Sequence, residues 1–295
     1  MDVHILHVDD RDGSIERGDI FGHDGTIIPF KEGLIAKQIR SGELHFFKTY
    51  FSFGHGIADI LSPDLIPEIV GISFPSKIKD SIKPNAQVSL EIHKDLDTKD
   101  PVHIPFLIER DISSGFQQPA TLDIKIGCRT WKIGASPQKA ASRRAKDTFG
   151  PNKINNFRVR GAMWHNENGQ LSIIDRGFAK KNTMEDIQTF FKSFFRDPYI
   201  REKVLAKLKR LLAAMIKLHD HLDVRLYSSS ILFVYDELNH QKVDCRLLDF
   251  EKAYIGYKTE ADKYHESYED CEDNLPLGCQ RLINMISQID TNETC

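Results

Sequence analysis

Several features are scarce in this chain of 295 residues. No apolar run approaches the roughly 18 residues needed to cross a bilayer. The greasiest stretch, Leu211 to Ile216, lies among lysines and arginines, so a soluble chain with no membrane span is expected. The five cysteines (Cys128, Cys245, Cys271, Cys279 and Cys295) are odd in number and lack CxxC spacing, which argues against a zinc ribbon or a disulfide framework and fits a reducing compartment. Net charge is small as well. Forty Lys and Arg oppose 43 Asp and Glu for a formal charge of −3, so bulk electrostatics recruit neither nucleic acid nor an anionic membrane, and any anion site must be local. No GxxxxGK followed by Ser or Thr occurs and no GxGxxG, which removes P-loop nucleotidases, dinucleotide folds and the glycine loop of protein kinases. Repeats and low-complexity tracts are missing, and the opening Met1-Asp2-Val3-His4 does not read as a signal peptide.

What is present suits a folded protein. With 40% hydrophobic and 28% charged residues, a chain of this length forms one large domain or two lobes sharing a cleft. Two halves emerge, 1–111 and 112–295. In the first, strand-like runs at Leu34 to Ile39, Ile69 to Phe74, Gln87 to His93 and Ile104 to Glu109 are interrupted by one helix starting near Glu43, whose Leu44, Phe47, Tyr50 and Phe51 predict a buried stripe. In the second, the alternating strand Ala120 to Gly127 precedes a short basic helix at about 136–147 and a strand around Phe157 to Trp164. Thr183 then reads as the N-cap of a helix with Asp186 three residues on, and a longer helix spans about Arg201 to Leu218. The strand pair Ile231 to Asp236 and Val243 to Phe250 follows, then an acidic loop from Glu260 to Asp273 expected to be a solvated face, and a last helix from about Leu277 to Ile289.

Strand alternation puts Leu122, Ile124 and Ile126 on one face and Asp123 with Lys125 on the other, either as a solvated pair or as an acid and an amine sharing a working surface. Between Ile124 and Lys146 stand seven basic residues and no acid. Ser136 and Pro137 open a helix on which Lys139, Arg143 and Lys146 fall at i, i+4 and i+7. Like charges so stacked repel, and a ligand bearing several phosphates reverses that sign. Near the C-terminus an apolar strand ends in Asp249, a placement that suits Mg²⁺ held against nucleotide phosphates. Lys37 on a strand, followed by Glu43 opening a helix, is either a phosphate-gripping lysine with its orienting acid or an exposed ion pair. His219-x-His221-x-Asp223 lacks a third convergent ligand, and Trp131 and Trp164 read as packing residues.

Pro119-x-x-x-Asp123-x-Lys125-x-Gly127 resembles the PxxxDxKxG signature of the inositol polyphosphate kinases. The resemblance extends to Gly22-His23, to Ala36-Lys37-Gln38, to Glu109 through Ile112 and to Ser229-Ser230 with the strand after it. It reaches Leu248-Asp249-Phe250, Leu277-Gly278 and the final helix, in the family's order from about residue 20 to 290. It implies an α+β fold of two lobes resembling a protein kinase, with ATP between them. By this resemblance Glu109, Asp111 and Ile112 belong to the hinge at adenine, Lys37 contacts the ATP phosphates, and Asp249 ligates Mg²⁺ with Ser230 beside the metal. Asp123 contacts the nucleotide ribose or the reactive centre, and Lys125 lies near the transferred phosphoryl group. Lys139, Arg143 and Lys146 are implied as substrate-binding cations, and Lys252 is similar to the lysine that inositol trisphosphate 3-kinases carry at that point.

Only about 30 residues separate Gly127 from Phe157, similar to the compact insert of the multikinases, and Arg129-Thr130-Trp131 with Ala135-Ser136 is also multikinase-like. The implied activity is transfer of the γ-phosphoryl group to ring hydroxyls of inositol tris- and tetrakisphosphates. The trisphosphate 3-kinase and hexakisphosphate kinase branches and a non-catalytic inositol phosphate or phosphoinositide sensor are the alternatives. A protein kinase, suggested by His221-x-Asp223, lacks its glycine loop. The resemblance further implies phosphoinositide head groups as a second ligand class, a monomer without nucleic-acid partners, and residence in nucleus and cytoplasm. Two departures stand out: Glu251 follows Asp249-Phe250 where the family has Ala or Gly, adding charge near the implied metal, and Arg110 replaces an uncharged or acidic neighbour of the hinge.

Overall fold

The fold is built around two antiparallel sheets. In the computed structural model, residues 6–8, 27–31, 33–52, 54, 56–73, 106–147, 155–175, 178 and 183–289 are described. The smaller sheet contains β2 (Ile27–Lys31), β3 (Leu34–Gln38), β4 (Ile69–Ser73) and β5 (Phe106–Arg110), in the order β2-β3-β5-β4. The larger contains β1 (Leu6–Val8), β6 (Pro119–Ile126), β7 (Phe157–His165), β8 (Leu171–Ile174), β10 (Ser230–Asp236) and β11 (Val243–Leu248), in the order β1-β8-β7-β6-β10-β11. A two-stranded ribbon pairs β9 (Arg225–Leu226) with β12 (Ala253–Tyr254). The mixed helix and sheet architecture agrees with the α+β expectation. Residues 6–8 depart from the proposed division at 111, because β1 pairs with β8 of the larger sheet. The strand expected at Gln87 to His93 lies outside the described residues, as does Gly22-His23.

Helix α1 (Ser41–Tyr50) follows β3, and α2 (Ile57–Ile60) comes next. On α1, Leu44, Phe46, Phe47 and Tyr50 are buried, whereas Phe51 sits past the last turn and is exposed. The expected stripe is thus corrected by one residue: Phe46 replaces Phe51. The Phe46 ring stacks on Phe250 at a centroid distance of 4.2 Å, tying the helix to the chain immediately after β11. Helix α3 (Pro137–Asp147) is the short basic helix, capped by Ser136, whose Oγ accepts from Lys139 N at 3.3 Å.

The back of the larger sheet is covered by α4 (Met184–Phe194), α5 (Pro198–Leu222) and α7 (Leu275–Ser287). Thr183 and Asp186 form the expected reciprocal capping box on α4. The long helix begins earlier than its apolar periodicity suggests because Asp197 accepts from Tyr199 N and Ile200 N and Pro198 starts the first turn. Phe190, Phe191, Phe194 and Phe195 are buried against β6, β7 and β10, and Trp164 packs edge-on to Phe194. The core face of β6 supplies Leu122, Ile124 and Ile126, each at most 1% exposed. Its opposite face is therefore fixed towards the cleft.

The acidic segment is exposed over most of 262–270, as expected of a solvated face, but its end turns inward. It takes in the end of α6 (Tyr257–Lys263) and closes on a loop whose Asp273 is fully buried. Gly127, at φ +81°, packs so closely against it that a Cβ would lie 2.5 Å from the Asp273 carbonyl oxygen. That contact explains why the strand signature ends in glycine.

Candidate active site

The site begins with a lysine on the smaller sheet. Lys37 Nζ donates to Glu43 Oε1 at 3.0 Å and to Asp249 Oδ1 at 2.7 Å, joining β3, α1 and the residue after β11. The exposed-pair alternative is excluded: the Lys37 and Glu43 side chains are 16% and 5% exposed. Glu43 also accepts from Phe250 N at 3.3 Å, so α1 positions the start of the Asp249 loop. Burial favours neutral Lys37, but Asp249, Glu43 and Glu109 outweigh it and keep the ammonium charged well beyond the ordinary lysine range. Burial pushes the Glu43 carboxyl up, against the pull of Lys37. Partial burial opposes ionisation of Asp249, but Lys37 and Lys125 prevail and hold its carboxyl at about 2. Asp249 has φ +65°, a strained conformation for a non-glycine residue, and its carbonyl accepts from Ser229 Oγ at 2.8 Å.

The cleft face of the larger sheet supplies the rest. Lys125 on β6 lies opposite Ser230 on β10 and Arg158 on β7, so these three side chains share a face. Asp123, two residues back, accepts a hydrogen bond from Ser230. Its Oδ1 is buried with no hydrogen-bond partner among the described residues. Burial raises the Asp123 carboxyl, and the Asp249 charge adds to this. Burial lowers Lys125, and Arg160 and Arg158 assist, against Asp249 and Asp123. A lysine so placed exchanges its proton more readily than an exposed one.

The end of β5 and the turn after it are polar. Glu109 is buried on β5, its carboxyl raised by burial to about 7 despite Lys37. Asp111 closes a turn by accepting from Ser113 N and Oγ at 2.8 and 2.7 Å, and its N–H donates to Gly33 O at 3.0 Å, leaving Ile112 half-buried beside it. Arg110, the unusual neighbour, is an exposed residue paired with Glu68 at 2.8 Å. Glu251, the other departure, directs Oε1 to Arg40 Nη1 at 3.3 Å, an exposed contact between the two lobes.

The basic segment divides into two roles. Arg129 is 2% exposed, bonded to Glu266 at 2.8 Å and stacked on Trp131 and Tyr227 at 5.0 and 4.8 Å. It is a structural brace, and the acidic loop is its anchor. Trp131 also carries Arg144 at 5.4 Å, so it is a stacking platform rather than packing alone. Lys139 and Arg143 on α3 are exposed, whereas the Lys146 side chain lies outside the described residues. Lys252 Nζ donates to Thr130 O at 2.9 Å and Ser228 Oγ at 3.3 Å. Burial lowers it to about 8; Glu251 opposes this, while Lys125, Arg143 and Lys132 add to it, which places Arg143 and Lys132 near the cleft lysines.

Sequence reasoning missed Arg158 and Arg160. Their spacing in the alternating run Phe157–His165 was the available signal: Phe157 and Val159 are buried while both arginines are half-buried. Away from the cleft, His219 Nε2 lies 3.1 Å from Asp273 Oδ1. The Asp273 carboxylate also accepts from Leu226 N and Leu275 N, Glu272 is taken by Arg225 and Asp223 by Lys258, so this cluster is a brace rather than a metal centre.

The donor set fits a nucleotide with a divalent cation. The Asp249 side chain is 43% exposed and uses one oxygen on Lys37, while the orphaned Oδ1 of Asp123 lies on the adjoining face. Such a hard oxygen pair beside two lysines suits a cation and phosphate together. A two-lobed cleft with a strand lysine, a helix glutamate and a strand-end aspartate defines the layout of a nucleotide-dependent phosphotransferase.

Comparison with known proteins agrees. The family described as inositol polyphosphate kinase matches residues 106–287, more than half of the chain. The chain belongs to the inositol polyphosphate kinase family. It is 26% identical over 208 residues to inositol hexakisphosphate kinase 3 of Mus musculus, covering 64% of this chain and 52% of that protein. It is 23% identical over 252 residues to the inositol polyphosphate multikinase of Saccharomyces cerevisiae, covering 73% and 70%. The chain spans about half the length of the hexakisphosphate kinases it matches. In fold it is similar to the crystal structure of the inositol phosphate multikinase from S. cerevisiae in complex with ADP and Mn²⁺, with a TM-score of 0.57 at 17% identity over 86% of this chain and 98% of that one. No helix among the described residues is long and apolar enough to cross a membrane.

Proposed function

We propose that this protein is an ATP-dependent kinase that transfers the γ-phosphoryl group to ring hydroxyls of inositol tris- and tetrakisphosphates, in the manner of a multikinase, with Mg²⁺ as its cation. The observation that carries this reading is the Lys37 ammonium held between Glu43 and Asp249 at 3.0 and 2.7 Å, with Lys125 and Asp123 near enough for their charges to act with that of Asp249. Lys37 binds and orients the nucleotide phosphates, and Glu43 fixes Lys37. Asp249 holds the divalent cation, which when bound neutralises phosphate charge. The backbone from Glu109 to Ile112 meets adenine, and Asp123 offers its orphaned oxygen to the ribose or the reacting hydroxyl. Ser230 keeps Asp123 in place. Lys125 donates to the equatorial oxygens of the transferred group, where a loose transition state spreads its charge. Lys139, Arg143, Lys146 and Lys252 hold the remaining phosphates.

The short insert between Gly127 and Phe157 leaves the acceptor pocket open and supports the multikinase branch. The hexakisphosphate kinase branch is the second reading, favoured by relatives that carry that name at 26–28% identity. Incubation with Mg-ATP and a panel of inositol tris- to hexakisphosphates, with products resolved by chromatography and NMR, separates the two. Turnover of tris- and tetrakisphosphates supports the proposal, turnover of hexakisphosphate alone supports the second reading, and turnover of none in folded protein contradicts both. Binding of a polyphosphate without turnover is the outcome a sensor gives.

A further inference from the structure

The register of β6 against β7 slips at one point: Asp123 pairs with Gly161 and Ile124 pairs with Val159, which leaves Arg160 as an extra residue in a bulge. Bulges re-aim side chains and recur beside active sites. Gly161 has no side chain to compete with Arg160 across from Asp123. Val159 is buried in the core while Arg160 is half-buried, which puts the guanidinium on the cleft face with Asp123 and Lys125. Its charge acts on Asp123, Lys125 and Asp249 alike.

Several other covered arginines are committed. Arg201 donates to Phe195 O and Arg196 O, Arg225 to Glu272, and Arg246 to Asp244. Arg160 has no hydrogen bond or ion pair among the described residues. A half-buried guanidinium without an anion is costly to keep, and its fork matches a phosphate monoester through two parallel bonds. Neighbouring strands lie about 4.8 Å apart, close enough for Arg160 to reach a substituent beside the group that Asp123 and Lys125 handle.

We infer that Arg160 determines substrate specificity, binding a phosphate on the ring carbon adjacent to the acceptor hydroxyl of a polyphosphorylated polyol. The inference deepens the function proposed above and rests on it.

The test uses the full chain with Arg160→Ala, Arg160→Gln and Arg160→Lys. Arg160→Ala and Arg160→Gln should raise KM for the inositol polyphosphate about ten-fold or more, the loss expected for charge-assisted hydrogen bonds, with KM for ATP within about two-fold. Arg160→Lys should restore only part, because an ammonium cannot form the fork. Binding of inositol hexakisphosphate, which carries a phosphate on every carbon, should weaken in parallel by calorimetry without nucleotide. Unchanged KM and unchanged hexakisphosphate affinity would overturn the inference, as would an equal loss of ATP affinity. If the parent chain turns over no inositol phosphate yet Arg160→Gln weakens hexakisphosphate binding, the role of Arg160 stands and the catalytic reading falls.

Discussion

Lys37 Nζ lies 2.7 Å from Asp249 Oδ1 although 212 positions separate the two residues in sequence, so one ion pair ties the smaller sheet to the end of β11. Glu43 holds the same ammonium from α1, and Phe46 stacks on Phe250 directly beside it. The charge assembly and the aromatic stack thus fix one geometry together.

Removing one member leaves its partners buried and uncompensated, which costs about 3–5 kcal/mol for a buried pair. Glu43→Gln should therefore lower both stability and turnover, with the kcat loss exceeding the KM change because Lys37 is no longer aimed. Chemical denaturation and steady-state kinetics on the same preparation check this. A stability loss with kcat intact would show Glu43 to be structural only.

Glu251 raised the concern of extra negative charge beside the implied cation, yet it points to Arg40. Exposed pairs contribute about 0–1 kcal/mol. Glu251→Ala should leave the Mg²⁺ concentration for half-maximal turnover within about two-fold of the parent. A larger shift, read by metal titration, would place the carboxylate in the cation site.

Lys252 carries the pH dependence. Its pKa in the fold is depressed to about 8, so its charge is lost as pH rises through that value and polyphosphate affinity should fall between about pH 7 and 9. Stability runs the other way. An unfolded lysine titrates near 10.5, so between 8 and 10.5 the unfolded chain binds the extra proton and the fold gains stability with rising pH. Lys252→Gln should flatten the part of the KM profile above pH 7, and a profile identical to the parent's would remove Lys252 from the substrate site.

Gly127 tests the packing under the signature strand. Its φ of +81° disfavours any side chain, and the Asp273 carbonyl oxygen stands 2.5 Å from where a Cβ would be, so Gly127→Ala is strained twice over. A loss of about 1–3 kcal/mol is expected, seen as a lower Tm. An unchanged Tm would mean that the Asp273 loop gives way freely.

Much of this was legible in sequence because periodicity and chemistry coincide. The β6 alternation placed Asp123 and Lys125 on one face, and Thr183 with Asp186 announced α4. Three features were not legible, each resting on contacts between distant segments. The acidic loop is exposed over most of its length, yet its Glu266 and Asp273 hold Arg129 and Leu226. The bulge at Arg160 depends on the register of two strands. The pairing of Leu6–Val8 with β8 has no local signal. Lys37 and Glu43 were visible as a pair, but burial, which separates a working ion pair from a solvated one, is a tertiary property.

The most direct measurement follows labelled γ-phosphate from ATP into an inositol trisphosphate, comparing the parent chain with Lys125→Ala, Asp249→Asn and Lys139→Ala. The account predicts that label reaches the inositol ring with the parent, that the first two variants abolish transfer while remaining folded, and that Lys139→Ala mainly raises KM. Transfer at parental rates by Lys125→Ala or Asp249→Asn, or none by the folded parent chain, would contradict it.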